Sequence, residues 1–131
     1  MATAERIEKT TLKNLLHNED YTRKVLPFLK PEYFDDRTER IVFSEIQKFI
    51  QQYNKRPTKE TLQIDLGKRK DLNEDEFKKI VDLVSTLNKE EIDLDWLVNT
   101  TEKFCKDRAI HNAVTNRIQI LHGKAQQHSH E

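Results

Sequence analysis

Between residues 36 and 54, apolar side chains recur at Val42, Phe43, Ile46, Phe49, Ile50 and Tyr53. At about 100° per residue they fall within an arc of roughly 120°, the stripe of a helix with one face in a core. Ile41 alone lies off that arc. Asp36 can accept hydrogen bonds from the free amides of the first turn, with Glu39 three residues on, and Asn54 and Pro57 close the segment. The pattern predicts the central helix of a small all-helical domain.

The flanking segments repeat this theme with shorter stripes. Leu12, Leu15 and Leu16, with Ile7 less well aligned, predict a helix within residues 1–18, with Thr3 available as its cap. A second short helix is expected from an Asp20 cap, carrying Tyr21, Val25, Leu26, Phe28 and Leu29, with Pro27 limiting its last turn. Pro31-Glu32-Tyr33-Phe34 reads as a tight helical turn that sets two aromatic rings beside the central helix. Thr58 is placed to cap a helix holding Leu62, Ile64 and Leu66, which Gly67 and the cations Lys68, Arg69 and Lys70 end. Asn73 and Glu76 form a capping box for a helix with Phe77, Ile80, Val81, Val84 and Leu87. After an acidic loop at 88–93, Asp95 is expected to cap the last helix, from Trp96 to about His122, with Trp96 plugging the core.

That last helix is the longest, and its stripe drifts. Leu97, Val98, Phe104, Cys105 and Ala109 share one side, whereas Ile110, Val114, Ile118 and Leu121 lie on nearly the opposite side. The second set could face the preceding helix folded back as a hairpin, another subunit, or, if the helix bends, the same core. Residues 123–131 have almost no apolar content and read as a disordered tail or the start of a linker.

Composition narrows the class. The 131 residues suit one domain, and two glycines and three prolines are few for a sheet protein with tight hairpins. The 23 basic and 23 acidic residues cancel, which disfavours a dedicated binder of phosphate backbones, although a local patch at Lys68, Arg69 and Lys70 remains a candidate nucleic-acid contact. A single cysteine excludes an internal disulfide and fits a reducing compartment. No stretch reads as a signal sequence or membrane span, so a cytoplasmic protein is expected.

Candidate chemistry is sparse. Two glycines cannot supply a phosphate loop, so no nucleotide hydrolysis is expected of this chain by itself, and no cofactor or catalytic residue is assigned. His122, His128 and His130 cluster, but as tail residues they read as solvated and not as metal ligands. His111 reads as a surface residue, and Cys105 as a buried thiol without an activating neighbour. The carboxylate runs at Asp35-Asp36, Glu74-Asp75-Glu76, Glu90-Glu91 and Asp93/Asp95 sit at helix starts or loops, where capping accounts for them.

The order of landmarks adds a resemblance. Leu29-Lys30-Pro31-Glu32-Tyr33-Phe34, followed by Arg40-Ile41-Val42-Phe43-Ser44-Glu45-Ile46, resembles the Leu-x-Pro-Glu-x-Phe and Arg-x-Ile-Phe-x-x-Ile run of the N-terminal domain of DnaB-like replicative helicases. Arg56-Pro57-Thr58, Leu62, Trp96-Leu97-Val98, Thr101 to Phe104, Arg108-Ala109-Ile110, Asn112-Ala113 and Ile118 continue it, over about residues 7–122. Many bacterial members carry a glycine pair before an aromatic-Leu run where this chain has Lys68 to Asp75, which favours the branch found in T-even phages.

The resemblance implies a compact six-helix collar domain over residues 1–122, a globular head plus a C-terminal helical hairpin, from a ring-shaped hexameric helicase acting at the replication fork. It implies association with itself (dimer to hexamer), with primase and with a helicase loader. Single-stranded DNA, ATP and magnesium would be engaged by a motor domain outside these residues. On this reading Ile110, Val114, Ile118 and Leu121 face a hairpin partner or a neighbouring subunit. Two alternatives remain: a small helical nucleic-acid-binding protein, and a stand-alone adaptor that engages a helicase or primase.

Overall fold

Asp36 opens the central helix by accepting hydrogen bonds at one carboxylate oxygen from the amides of Thr38 (2.7 Å) and Glu39 (3.2 Å). In the computed structural model, which describes the backbone over residues 6–129 and side-chain burial through residue 121, this helix is α3, Arg37–Tyr53. It closes at Asn54, whose φ of 56° is left-handed and turns the chain out of the helix.

Before it lie α1 (Ile7–His17), α2 (Glu19–Val25) and two single-turn 3-10 helices, Leu26–Phe28 and Pro31–Tyr33. After it come α4 (Lys59–Gly67), α5 (Glu74–Ser85) and α6 (Leu94–Ser129). The fold is all-α with six helices, and no strand occurs among the described residues.

Most caps are where the sequence places them. Thr58 forms a capping box with Thr61, and Asn73 one with Glu76. Two differ. The side chain of Asn18, not Asp20, accepts from the Tyr21 amide, and Asp93, not Asp95, accepts from the Trp96 amide at 2.8 Å. In each case the acid expected as cap lies inside the first turn, where it still favours the helix dipole. Thr3 lies outside the described residues; α1 begins at Ile7.

The core is a single cluster. Leu12, Leu15 and Leu16 of α1, Tyr21 and Val25 of α2, Val42, Phe43 and Ile46 of α3, Leu62 and Leu66 of α4, and Ile80 and Val84 of α5 meet around Phe34. Phe34 stacks on Phe43 with centroids 4.9 Å apart and meets Phe104 edge-on at 6.3 Å. Those contacts bring the loop before α3, α3 and α6 into one aromatic group.

Packing on both flanks widens the buried arc of α3. Ile41, predicted off the stripe, is buried because α5 covers that flank, whereas Tyr53, predicted on it, reaches past the core into solvent. Ile64 likewise faces out, with Leu62 and Leu66 turned in.

α5 rests on α3 and α4, and α6 rests on α1, α2 and the Pro31–Tyr33 turn. The apolar face of α5 is used up by α3 and α4, and its other face, with Lys78, Lys79, Asp82 and Ser85, is exposed. α6 therefore leaves the head on its own. The described residues hold the head and one projecting arm, with no second helix laid along that arm. The arm is helical to Ser129, past His122 where a disordered tail is expected. Lys, Ala and Gln there are helix-tolerant, and extending an existing helix needs no new nucleus.

Candidate interaction surface

The head side of α6 is one continuous line. Leu97 and Thr101 are fully buried, Cys105 nearly so, and Phe104 half-buried. Thr101 Oγ1 and Tyr21 Oη share a buried hydrogen bond of 2.7 Å, and burial pushes the Tyr21 phenol up to about 12. Further along, the line turns polar without changing direction. Arg108 pairs with Asp35, and Asn112 Nδ2 donates to the Glu32 carbonyl at 3.1 Å. These two contacts hold the middle of α6 against the Pro31–Tyr33 turn.

The apolar residues of the second half leave this line by roughly 140° around the helix. Ile110 is 64 % exposed, Val114 53 %, Ile118 53 % and Leu121 66 %. A helix bending over one core is therefore not what α6 does: its second stripe points away from the head. Ala109, predicted to join the inner line, is exposed as well.

Trp96 belongs to the outer face. It is 54 % exposed and, at about 100° per residue, falls on the same side as Ile110 and Val114. Trp96 therefore does not plug the core, contrary to the expectation from sequence. Leu97, the next residue, takes the inward position, and adjacent helical residues cannot share a face. Ile120 is also exposed, on the edge of the stripe, and was not singled out by the sequence pattern.

An outer stripe of this size is unusual on a monomer surface, because each such side chain leaves apolar area in water. Burying one contributes about 1.5–3 kcal/mol. Four together can drive association.

The cationic run at the end of α4 is arranged differently. Arg69 grips Asp71 through two hydrogen bonds of 2.9 and 2.6 Å and lies 3.9 Å from Glu45. The guanidinium holds the Asp71 carboxyl below its ordinary range. Lys68 lies 3.9 Å from Asp65, and Lys70 is exposed. Carboxylates thus meet two of the three cations. Beside them Phe49 and Tyr53 form an aromatic pair 4.7 Å apart, on a shallow depression that Glu45, Asp65, Lys68 and Arg69 also line.

The grooves between the described helices are lined by scattered polar and charged side chains. A groove of about 780 Å³ runs between α2 and the end of α3 and is lined by Arg23, Leu26, Pro27, Ile50, Gln51 and Lys55 among others. Among the described residues no group of three His, Cys, Asp or Glu side chains is placed to hold a metal ion; the side chains of His122, His128 and His130 lie outside them. Cys105 is buried, and burial with the nearby Glu102 charge pushes its thiol up to about 11, the opposite of an activated nucleophile. No described helix is long and apolar enough to cross a membrane.

Comparison with known proteins places this architecture. The family described as DnaB-like helicase N terminal domain matches residues 2–94, the head up to the first residue of α6. A DnaB-like replicative helicase of Enterobacteria phage T4 is 30% identical over 109 residues, covering 83% of this chain. The chain spans about a quarter of that relative's length (23%).

Proposed function

This chain belongs to the DnaB-like helicase N-terminal domain family, and from that premise we propose that it is the assembly domain of a hexameric replicative helicase. Its work is surface matching. Copies associate through Ile110, Val114, Ile118 and Leu121 on the outer face of α6, and the head offers the surface on which primase and a helicase loader dock. ATP and magnesium serve a motor domain of the parent protein, which also engages single-stranded DNA. The 131 residues, with two glycines, hold no phosphate loop. Such a protein works in the cytoplasm of the host cell.

The observation that carries this reading is the outer stripe of α6, more than half exposed at each of its four residues while the rest of the large apolar side chains are mostly gathered in the head. A nucleic-acid-binding role for Lys68, Arg69 and Lys70 draws less support, because Asp65, Asp71 and Glu45 already meet two of them. Mass in solution across a range of concentrations, with and without a phage-type primase, tests the proposal. Self-association together with a shift on adding primase supports it. A chain that stays monomeric and ignores primase refutes it, and salt-dependent binding of single-stranded DNA by a monomer would favour the alternative.

A further inference from the structure

The groove between α2 and the end of α3 combines an aliphatic lining with uncompensated positive charge. Leu29 is buried in it, Leu26 and Ile50 are half-buried, and Pro27 is exposed. Gln47 and Gln51, one turn apart on α3, add side-chain amides, each with donors and an acceptor for a ligand's main chain. The charged residues that line it are three cations, Arg23, Lys55 and Arg56, against one acid, Glu19.

These charges do not cancel. Glu19 meets Arg23 at 3.3 Å, and no carboxylate of the described residues lies within ion-pair distance of Lys55 or Arg56. Arg56 is held by a neutral group instead. Its Nη1 donates to the Leu16 carbonyl at 3.0 Å, which fixes the guanidinium and leaves its charge whole. On its other side Arg56 borders a depression with Asp20, Glu90 and Glu91, of which Glu90 is engaged by Lys13 and Asn14. In a chain whose 23 basic and 23 acidic residues balance, the groove is a local excess of cations.

Such a lining favours a ligand with apolar side chains and carboxylates together. Nucleic acid fits it poorly. None of the residues lining the groove is aromatic, so a base has nothing to stack on, and two free cations neutralise few phosphates. From Gln47 to Asn54 the groove follows α3 for about 10 Å, the span of about three extended residues.

Resting on the reading that the head docks partner proteins, we propose that this groove takes a short acidic segment of a partner protein. One or two aliphatic side chains of that segment pack on Leu26, Leu29 and Ile50, its carboxylates meet Lys55 and Arg56, and Gln47 and Gln51 hold its main chain. Charge complementarity selects the occupant, and the aliphatic lining anchors it.

The test is binding of the full 131-residue chain to an array of short peptides rich in Asp and Glu with one or two Leu or Ile. Counterparts carry Asn and Gln in place of the acids, or Ser in place of the aliphatics. Fluorescence anisotropy then compares wild type, Lys55→Glu and Lys78→Glu, with helix content checked by circular dichroism. Both lysines are exposed, and Lys78, on α5, does not line the groove, so its reversal changes net charge equally. The best acidic peptides are expected to bind at least about tenfold more tightly than either counterpart. Lys55→Glu should weaken them at least about tenfold and Lys78→Glu less than about twofold. No preference for the acidic-aliphatic peptides, or equal losses in the two variants, would overturn the proposal. So would tighter binding of oligothymidylate, or a self-associated wild type that Lys55→Glu returns to monomer mass, because the groove would then serve nucleic acid or another copy. A phage-type primase separates the two levels. If it shifts the mass of wild type and Lys55→Glu alike while no acidic peptide binds, docking on the head stands and the groove falls. If acidic peptides bind through Lys55 and primase leaves the mass unchanged, the groove stands and primase docking falls.

Discussion

Tyr21 Oη and Thr101 Oγ1 lie 2.7 Å apart in the core, a polar link between α2 and the inner face of α6. Both residues are fully buried, so neither hydroxyl has water as a substitute. Removing one partner takes this bond from the other, at a cost of up to about 1–3 kcal/mol with Thr11 as the remaining hydroxyl at Tyr21, whereas removing both costs less than the sum. Urea unfolding of Tyr21→Phe, Thr101→Val and the double variant should therefore give a clear coupling energy. Additive losses would mean that the contact contributes nothing of its own.

Asn54 ends α3 in the left-handed region, with φ 56°. Asparagine tolerates that conformation better than alanine, and glycine tolerates it without strain. Asn54→Ala should lower stability by about 1 kcal/mol, and Asn54→Gly should be close to neutral. The midpoint of thermal unfolding reads both. Equal effects would show that the backbone conformation is not the cause.

Cys105 is buried on α6, and its thiol is pushed from the ordinary 9.0 up to about 11. At pH 8 a rise of two units lowers the thiolate fraction roughly a hundredfold, and thiolate is the form that alkylates. Native protein should react with iodoacetamide at least that much more slowly than urea-unfolded protein. A native rate near the unfolded one would place the thiol at the surface.

Glu39 is almost wholly buried, with Arg6 on Oε2 and no hydrogen-bond partner on Oε1. Burial pushes its carboxyl above the ordinary range, and the Arg6 contact offsets this only in part. The folded state thus holds the proton more tightly than the unfolded one. The associated stability is complete below the unfolded value, 4.5, and is lost as pH rises through the folded value. Asp71 and Glu76 are shifted down by Arg69 and Arg37 and contribute in the opposite sense, so the comparison must be a difference. Unfolding free energies of Glu39→Gln minus wild type should grow more favourable to the variant between pH 4 and pH 7. A difference that is flat or falls with pH would contradict this.

Much of the head was legible from periodicity and capping chemistry. The α3 stripe, the Asn73–Glu76 box, the Thr58 cap and the ring of Phe34 against α3 all follow from local rules, because each involves residues close in sequence. Burial that depends on a distant partner was not legible. Thr101, Glu39 and Glu45 are polar residues inside the fold, held there by Tyr21, Arg6 and Arg69 from other elements, and a hydropathy pattern assigns such residues to the surface. Trp96 shows the converse. α6 carries apolar groups on two faces, and periodicity alone cannot say which face meets the head. The four residues of the outer stripe were readable as a set, but their exposure needed the position of Arg108 and Asn112 against the Pro31–Tyr33 turn.

The central claim is that the outer face of α6 joins copies of this domain. Its most direct test is the concentration dependence of mass for the wild type and Ile118→Asp, measured side by side by light scattering with helix content checked. The wild type should exceed the 15.6 kDa of one chain as concentration rises, and the variant, equally helical, should stay at it. Equal masses for two folded proteins would contradict the claim.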